Sequence, residues 1–161
     1  MIKKRTEKIA GFTLIEVVIY LALFSIIIGG AMAGVYQLVQ SSDANAQKII
    51  VEQEGNFLLR KIDWALSNVA SVSAPAEGAN GQTLKINKEN YAQNPIQFNL
   101  AGSTLELAKG DGAPVALNSS YTVLSDLLFE HLPPSGAKPA AIKTSFKLNG
   151  QSFSTTKYLR K

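Results

Sequence analysis

Residues 12–36 read FTLIEVVIYLALFSIIIGGAMAGVY, and their reading decides the fold of this chain. The 25 residues carry one charged side chain, Glu16, and no proline. Wound as a helix they measure roughly 37 Å, more than the ~30 Å of a bilayer's hydrocarbon core. Just upstream, MIKKRTEKIAG (1–11) sets Lys3, Lys4, Arg5 and Lys8 against Glu7 alone. That basic flank predicts a cytoplasmic N-terminus and places the rest of the chain outside. Of the chain's net charge of +4, +3 sits in these 11 residues, so the remainder is nearly neutral. The basic character is therefore a topology signal, and no direct nucleic-acid binding is expected.

Composition excludes several classes. The 161 residues include no cysteine, which removes disulfide scaffolds and cysteine-based zinc modules, and the 46% apolar share is too high for a disordered chain. One histidine, His131, precedes Pro133-Pro134 and reads as an exposed loop residue. No GxSxG nucleophile elbow and no phosphate-binding GxxxxGKS/T is present. The turn Lys109-Gly110-Asp111-Gly112 offers a single carboxylate, too few for a calcium site. Neither an active site, a cofactor nor a metal is expected, and the chain reads as a non-enzyme.

Two plain readings of the apolar run are a signal anchor and a cleaved secretory signal, the latter with Ala31-Met32-Ala33 before Gly34 as its cleavage site. Neither gives Glu16 a purpose, although a carboxylate at mid-bilayer costs about 2.5–3.5 kcal/mol on insertion scales. A snorkelling glutamate near the interface is the bland account of it. Gly11-Phe12-Thr13-Leu14-Ile15-Glu16, however, resembles the prepilin processing motif of type IV pilins, type II secretion pseudopilins and competence pseudopilins. The resemblance implies cleavage after Gly11 by a membrane-embedded prepilin peptidase, which also N-methylates the new terminus at Phe12. It further implies that Glu16 of one subunit meets the Phe12 amine of the next during assembly. The implied partners are sibling major and minor subunits, the peptidase, an assembly-platform membrane protein and the lipid bilayer.

Gly30 and Gly34 form a GxxxG that would let helices approach closely in lipid, although small residues are common in membrane helices. Beyond Tyr36 the sequence turns polar but keeps Val51, Leu58, Ile62, Ala65 or Leu66, and Val69 at helical spacing. One helix is expected from about Phe12 to about Val72, closed by Ser73-Ala74-Pro75. Gly55 reads as a mild weak point in it, and Trp64 as a core aromatic.

After AEGANG (76–81) the period becomes two. Strands are expected at 83–87, 96–100 and 104–107, the last two joined by a tight turn. A brief strand is expected at 114–117, and another through 121–131 with Leu127, Phe129 and Leu132 alternating. Asn149-Gly150 between two further strands signals a type I′ hairpin, with Phe153 and Thr155 on one face and Tyr158 on the other.

The expected class is α+β, a long helix packed on an antiparallel sheet. The expected organisation is a leader (1–11), a transmembrane half-helix (12–36), an amphipathic half-helix (37–75) and a β head (76–161). Within the family, the stretches RKIDWA (60–65), LSDLLF (124–129) and FSTTKYLR (153–160) resemble J-type minor pseudopilins and minor pilins. The function implied is a structural subunit that joins or primes a filament for pilus assembly, type II secretion or DNA uptake. A filament-tip adhesin is the alternative, and an anchored protein unrelated to filaments a third.

Overall fold

The structure is a computed structural model, which describes Gly11 and residues 13–159, without the side chains of Asp43 and Ala44. It is α+β, as expected. Helix α1 spans Leu14–Ala65. The strands are β1 (Val69–Ala74), β2 (Asn80–Gly81), β3 (Leu84–Lys88), β4 (Ile96–Ala101), β5 (Thr104–Lys109), β6 (Val115–Ala116), β7 (Leu124–Leu132), β8 (Ala141–Leu148) and β9 (Gln151–Tyr158). They form two sheets rather than one, ordered β1-β3-β4-β5-β6 and β2-β7-β8-β9, with every pairing antiparallel.

The chain divides into two compact units at Ala46/Gln47. In the second unit, α1 supplies Val51, Leu58, Ile62 and Ala65 to the core, the stripe expected from their spacing, and Leu66 in the turn that follows continues it. The first sheet adds Leu84, Ile86, Ile96, Phe98 and Leu105, and the second adds Leu124, Leu127, Phe129, Ile142, Phe146 and Leu148. All are in one cluster, so the helix and the inner faces of both sheets share a single apolar interior.

The helix ends earlier than expected, and Val69 and Val72 are on β1 instead. Asn68 takes a left-handed φ of 55°, a conformation that asparagine tolerates and that commonly closes helices. The carbonyl of Trp64 accepts bonds from Ser67 Oγ (2.6 Å), Lys88 Nζ (2.6 Å) and the Ser67 amide (3.3 Å). Donors from the turn and from β3 thus satisfy a carbonyl that the helix itself leaves open. The head begins inside the helix, and residues 66–74, where the helix is expected to run on to about Val72, form a turn and the first strand.

Local turn chemistry otherwise follows the sequence. Asn149 (φ 47°) and Gly150 (φ 83°) both take positive φ between the paired Leu148 and Gln151, which makes the turn type I′. In β9, Phe153 and Thr155 face inward and Tyr158 outward. Strand β7 departs from expectation at a bulge, where Asp126 has φ 53° and the register shifts between Ser125 and Leu128. After that bulge Leu127, Phe129 and His131 point inward, and Leu132 is exposed.

Candidate functional site

The N-terminal site is built on the first turn of α1. Gly11 is exposed and precedes the helix, and Phe12 lies outside the described residues. The carbonyl of Thr13 accepts the first helical bonds, from the amides of Glu16 (3.1 Å) and Val17 (3.3 Å), so Thr13 is the N-cap. Glu16 therefore stands in the first turn, where a carboxylate complements the positive end of the helix dipole. Its side chain is half-buried, and the Tyr20 hydroxyl, one turn on, donates to Oε1 at 3.4 Å. The Thr-x-x-Glu spacing of 13–16 is a helix-start signature that the sequence reading passed over.

From Val17 to Tyr36 the helix carries no charged side chain and is apolar on every side. Its most apolar 18 residues have a mean hydropathy of 2.3, and none is buried within the chain. Leu21, Phe24, Ile27 and Met32 are each at least 60% exposed. A helix that is apolar all round needs lipid or other helices around it, because water would leave this whole surface unsatisfied. Leu14 to Tyr36 measures roughly 35 Å, which suits a single-pass membrane anchor. Among the described residues, apart from the helix's own neighbouring backbone, no atom lies within 4 Å of where a Cβ would stand on Gly30, Gly34 or Gly29.

Residues 8–32 match the prokaryotic N-terminal methylation motif. The chain carries the prepilin-type motif of type IV pilins. No curated protein and no solved structure matches the chain. The match covers Gly11, the capped helix start with Glu16 and most of the apolar run, as far as Met32. The rest of the sequence, including the whole head, lies outside the matched region.

The head departs from the sequence expectations at three residues. His131 is not an exposed loop residue: it is buried on β7, with Nδ1 3.1 Å from the Pro75 carbonyl. A carbonyl only accepts, so Nδ1 carries the proton in that contact. The ring lines an open cleft of about 670 Å³ beside β1, together with Val69, Val72, Glu77, Pro139 and Leu159. Trp64 is not a core residue but is 38% exposed. Gly55 is not a weak point but a close approach, because a Cβ there would collide with the ring of Phe153.

Among the described residues no three His, Asp or Glu side chains are grouped to hold a metal ion. Asp111 is exposed in the turn after β5. What the sequence reading missed is a polar clamp on the loop between β6 and β7. Asn118 is buried, its Oδ1 accepts the Leu105 amide (2.8 Å), and its Nδ2 donates to the Thr122 carbonyl (3.1 Å). The Thr122 hydroxyl in turn donates to Glu54 Oε2 on α1. Only the approach of α1 to this loop brings residues 54, 118 and 122 together, so no local pattern announced them.

Proposed function

We propose that this chain is a minor pilin or pseudopilin, cleaved after Gly11 and methylated at Phe12, that joins or primes a type IV pilus-like filament. The observation that carries the reading is the prepilin-type motif at 8–32 running directly into a lipid-suited helix whose far half is built into a β head. Each part then has a task. The leader marks orientation, with the N-terminus in the cytoplasm and the head outside. Gly11 and Phe12 are substrate for the prepilin peptidase rather than catalysts.

Once the leader is gone, the amine of Phe12 and the carboxylate of Glu16 are opposite charges at the lipid end of one helix. Each is costly to desolvate unless it meets a partner. Staggered helices in a filament allow Glu16 of one subunit to neutralise the Phe12 amine of another. Gly30 and Gly34, bare on the helix surface, would let sibling helices pack closely. Pilus assembly, type II secretion and DNA uptake all employ such subunits, and the J-type minor pseudopilins are the class its head segments resemble.

Mass spectrometry of the mature protein tests the reading. A chain beginning at N-methylated Phe12, with Gly11→Ala slowing the cut, supports it. A chain beginning at Met1 or Gly34 overturns it.

A further inference from the structure

We propose that the aromatic and basic cleft around Trp64 is a docking site for a partner protein's acidic peptide segment that also carries apolar side chains. It is built from residues of the second unit alone and stands whether or not the chain enters a filament.

Two adjoining cavities of about 370 and 490 Å³ share Phe57, Lys61, Leu107 and Lys109, so they form one continuous cleft. Trp64 and Arg60 line its first part, and Val115, Ala116 and Leu117 line the second. Cations crowd the aromatic end. Lys88 Nζ stands 4.5 Å and Lys109 Nζ 5.0 Å from the Trp64 ring centre, and Lys61 Nζ stands 5.4 Å from that of Phe57. Lys88 is occupied locally, since it donates to the Trp64 carbonyl and to Ser67 Oγ.

Arg60, Lys61 and Lys109 are different. Among the described residues none of the three forms an ion pair, and no carboxylate lines either cavity. Elsewhere in the head, Lys143 and Lys147 are each paired with a carboxylate at 2.9 Å. Three cations without an ion pair at one cleft, with no carboxylate among the residues that line it, make a positive field that a low-dielectric wall of Phe57 and Leu107 strengthens.

The same geometry defines the ligand. Carboxylates satisfy Arg60, Lys61 and Lys109, and the apolar far end, where Val115 is 61% exposed, takes aliphatic side chains. A nucleic acid fits less well. Two ammonium groups already stand over the indole, and Tyr91 meets it edge-on at 5.8 Å and 79°, so a base must displace cations to stack. The cations also converge on one cleft instead of following a backbone track.

Trp64 is the only tryptophan, so its emission reports on this cleft alone. The full chain in a neutral detergent is titrated with a short Glu/Leu peptide, a Lys/Leu peptide and an oligothymidylate. A saturable change in Trp64 emission with the Glu/Leu peptide alone is expected, weakened by salt. Lys61→Glu with Lys109→Glu should weaken it about tenfold or more. Lys138→Glu, away from the cleft, should leave it unchanged, and thermal unfolding of each variant confirms that the head is intact. No saturable response, an equal response to the Lys/Leu peptide, or full binding by the folded double variant overturns the proposal. Tighter binding of the oligothymidylate overturns it in favour of a nucleic-acid site.

Discussion

The ring of Phe153 on β9 occupies the space that any side chain at Gly55 on α1 would need. A Cβ built at Gly55 lies 2.7 Å from Phe153 Cδ1 and closer still to Cε1 and Cζ. Phe153 is itself stacked on Phe146 of β8, with ring centres 5.5 Å apart and planes inclined by 17°, so it has a neighbour behind it. The glycine is the point where β9 comes down onto the helix.

Gly55→Ala is therefore expected to destabilise the head, despite the ~1 kcal/mol that alanine contributes to an isolated helix. Overpacking of this kind costs about 1–3 kcal/mol, read as a lower midpoint in urea unfolding. Phe153→Leu in the same chain should recover part of the loss, so the pair is non-additive in a double-mutant cycle. An alanine variant as stable as the parent would contradict the close approach.

Asn118→Ala should cost about 1–3 kcal/mol, because it leaves the Leu105 amide and the Thr122 carbonyl without their side-chain partner. Hydrogen exchange at Leu105 is the specific readout, and its protection should fall by more than that of the β7–β8 amides.

Glu16→Leu is expected to leave membrane insertion intact, since it removes a carboxylate from an apolar helix. Cross-linking to sibling subunits should fall sharply. Undiminished cross-linking would count against an assembly role for Glu16 and leave it as a helix-start residue.

Lys88 carries the pH prediction. Burial lowers its pKa below the usual 10.5, so between the lowered value and 10.5 the unfolded chain binds more protons than the folded one. Stability should therefore rise with pH through that window, relative to a Lys88→Met variant in which the group is absent. An NMR titration of the Lys88 ε-methylene with a midpoint at or above 10.5 would refute this.

Several elements could be read directly from sequence, because each depends on neighbours only a few residues away. The apolar run from Leu14 is long enough to define its own environment. Asn149-Gly150 specifies a turn through backbone conformation alone, and the stripe Val51, Leu58, Ile62 follows from helical period. The prepilin-type motif is likewise a continuous string. The end of the helix was also encoded locally, in Ser67-Asn68, but the apolar spacing of Val69 and Val72 imitated its continuation.

Tertiary structure decided the rest. In β7 the bulge at Asp126 brings both Leu124 and Leu127 inward, and the unbroken pairing from Leu128 to Leu132 then keeps a period of two, so His131 follows Leu127 and Phe129 inward and Leu132 faces out. Trp64 stands beside the buried stripe of Leu58, Ile62 and Ala65 and not on it, and β3 and β5 bring Lys88 and Lys109 over its half-exposed ring. The Gly55–Phe153 approach and the Glu54–Thr122–Asn118 clamp join positions 98 and 68 residues apart. Sequence determines periodicity, turns and charge, which are short-range properties of the chain. Which side chains share a space, and which cations remain without a counter-charge, is settled only when distant strands and the helix close over one core.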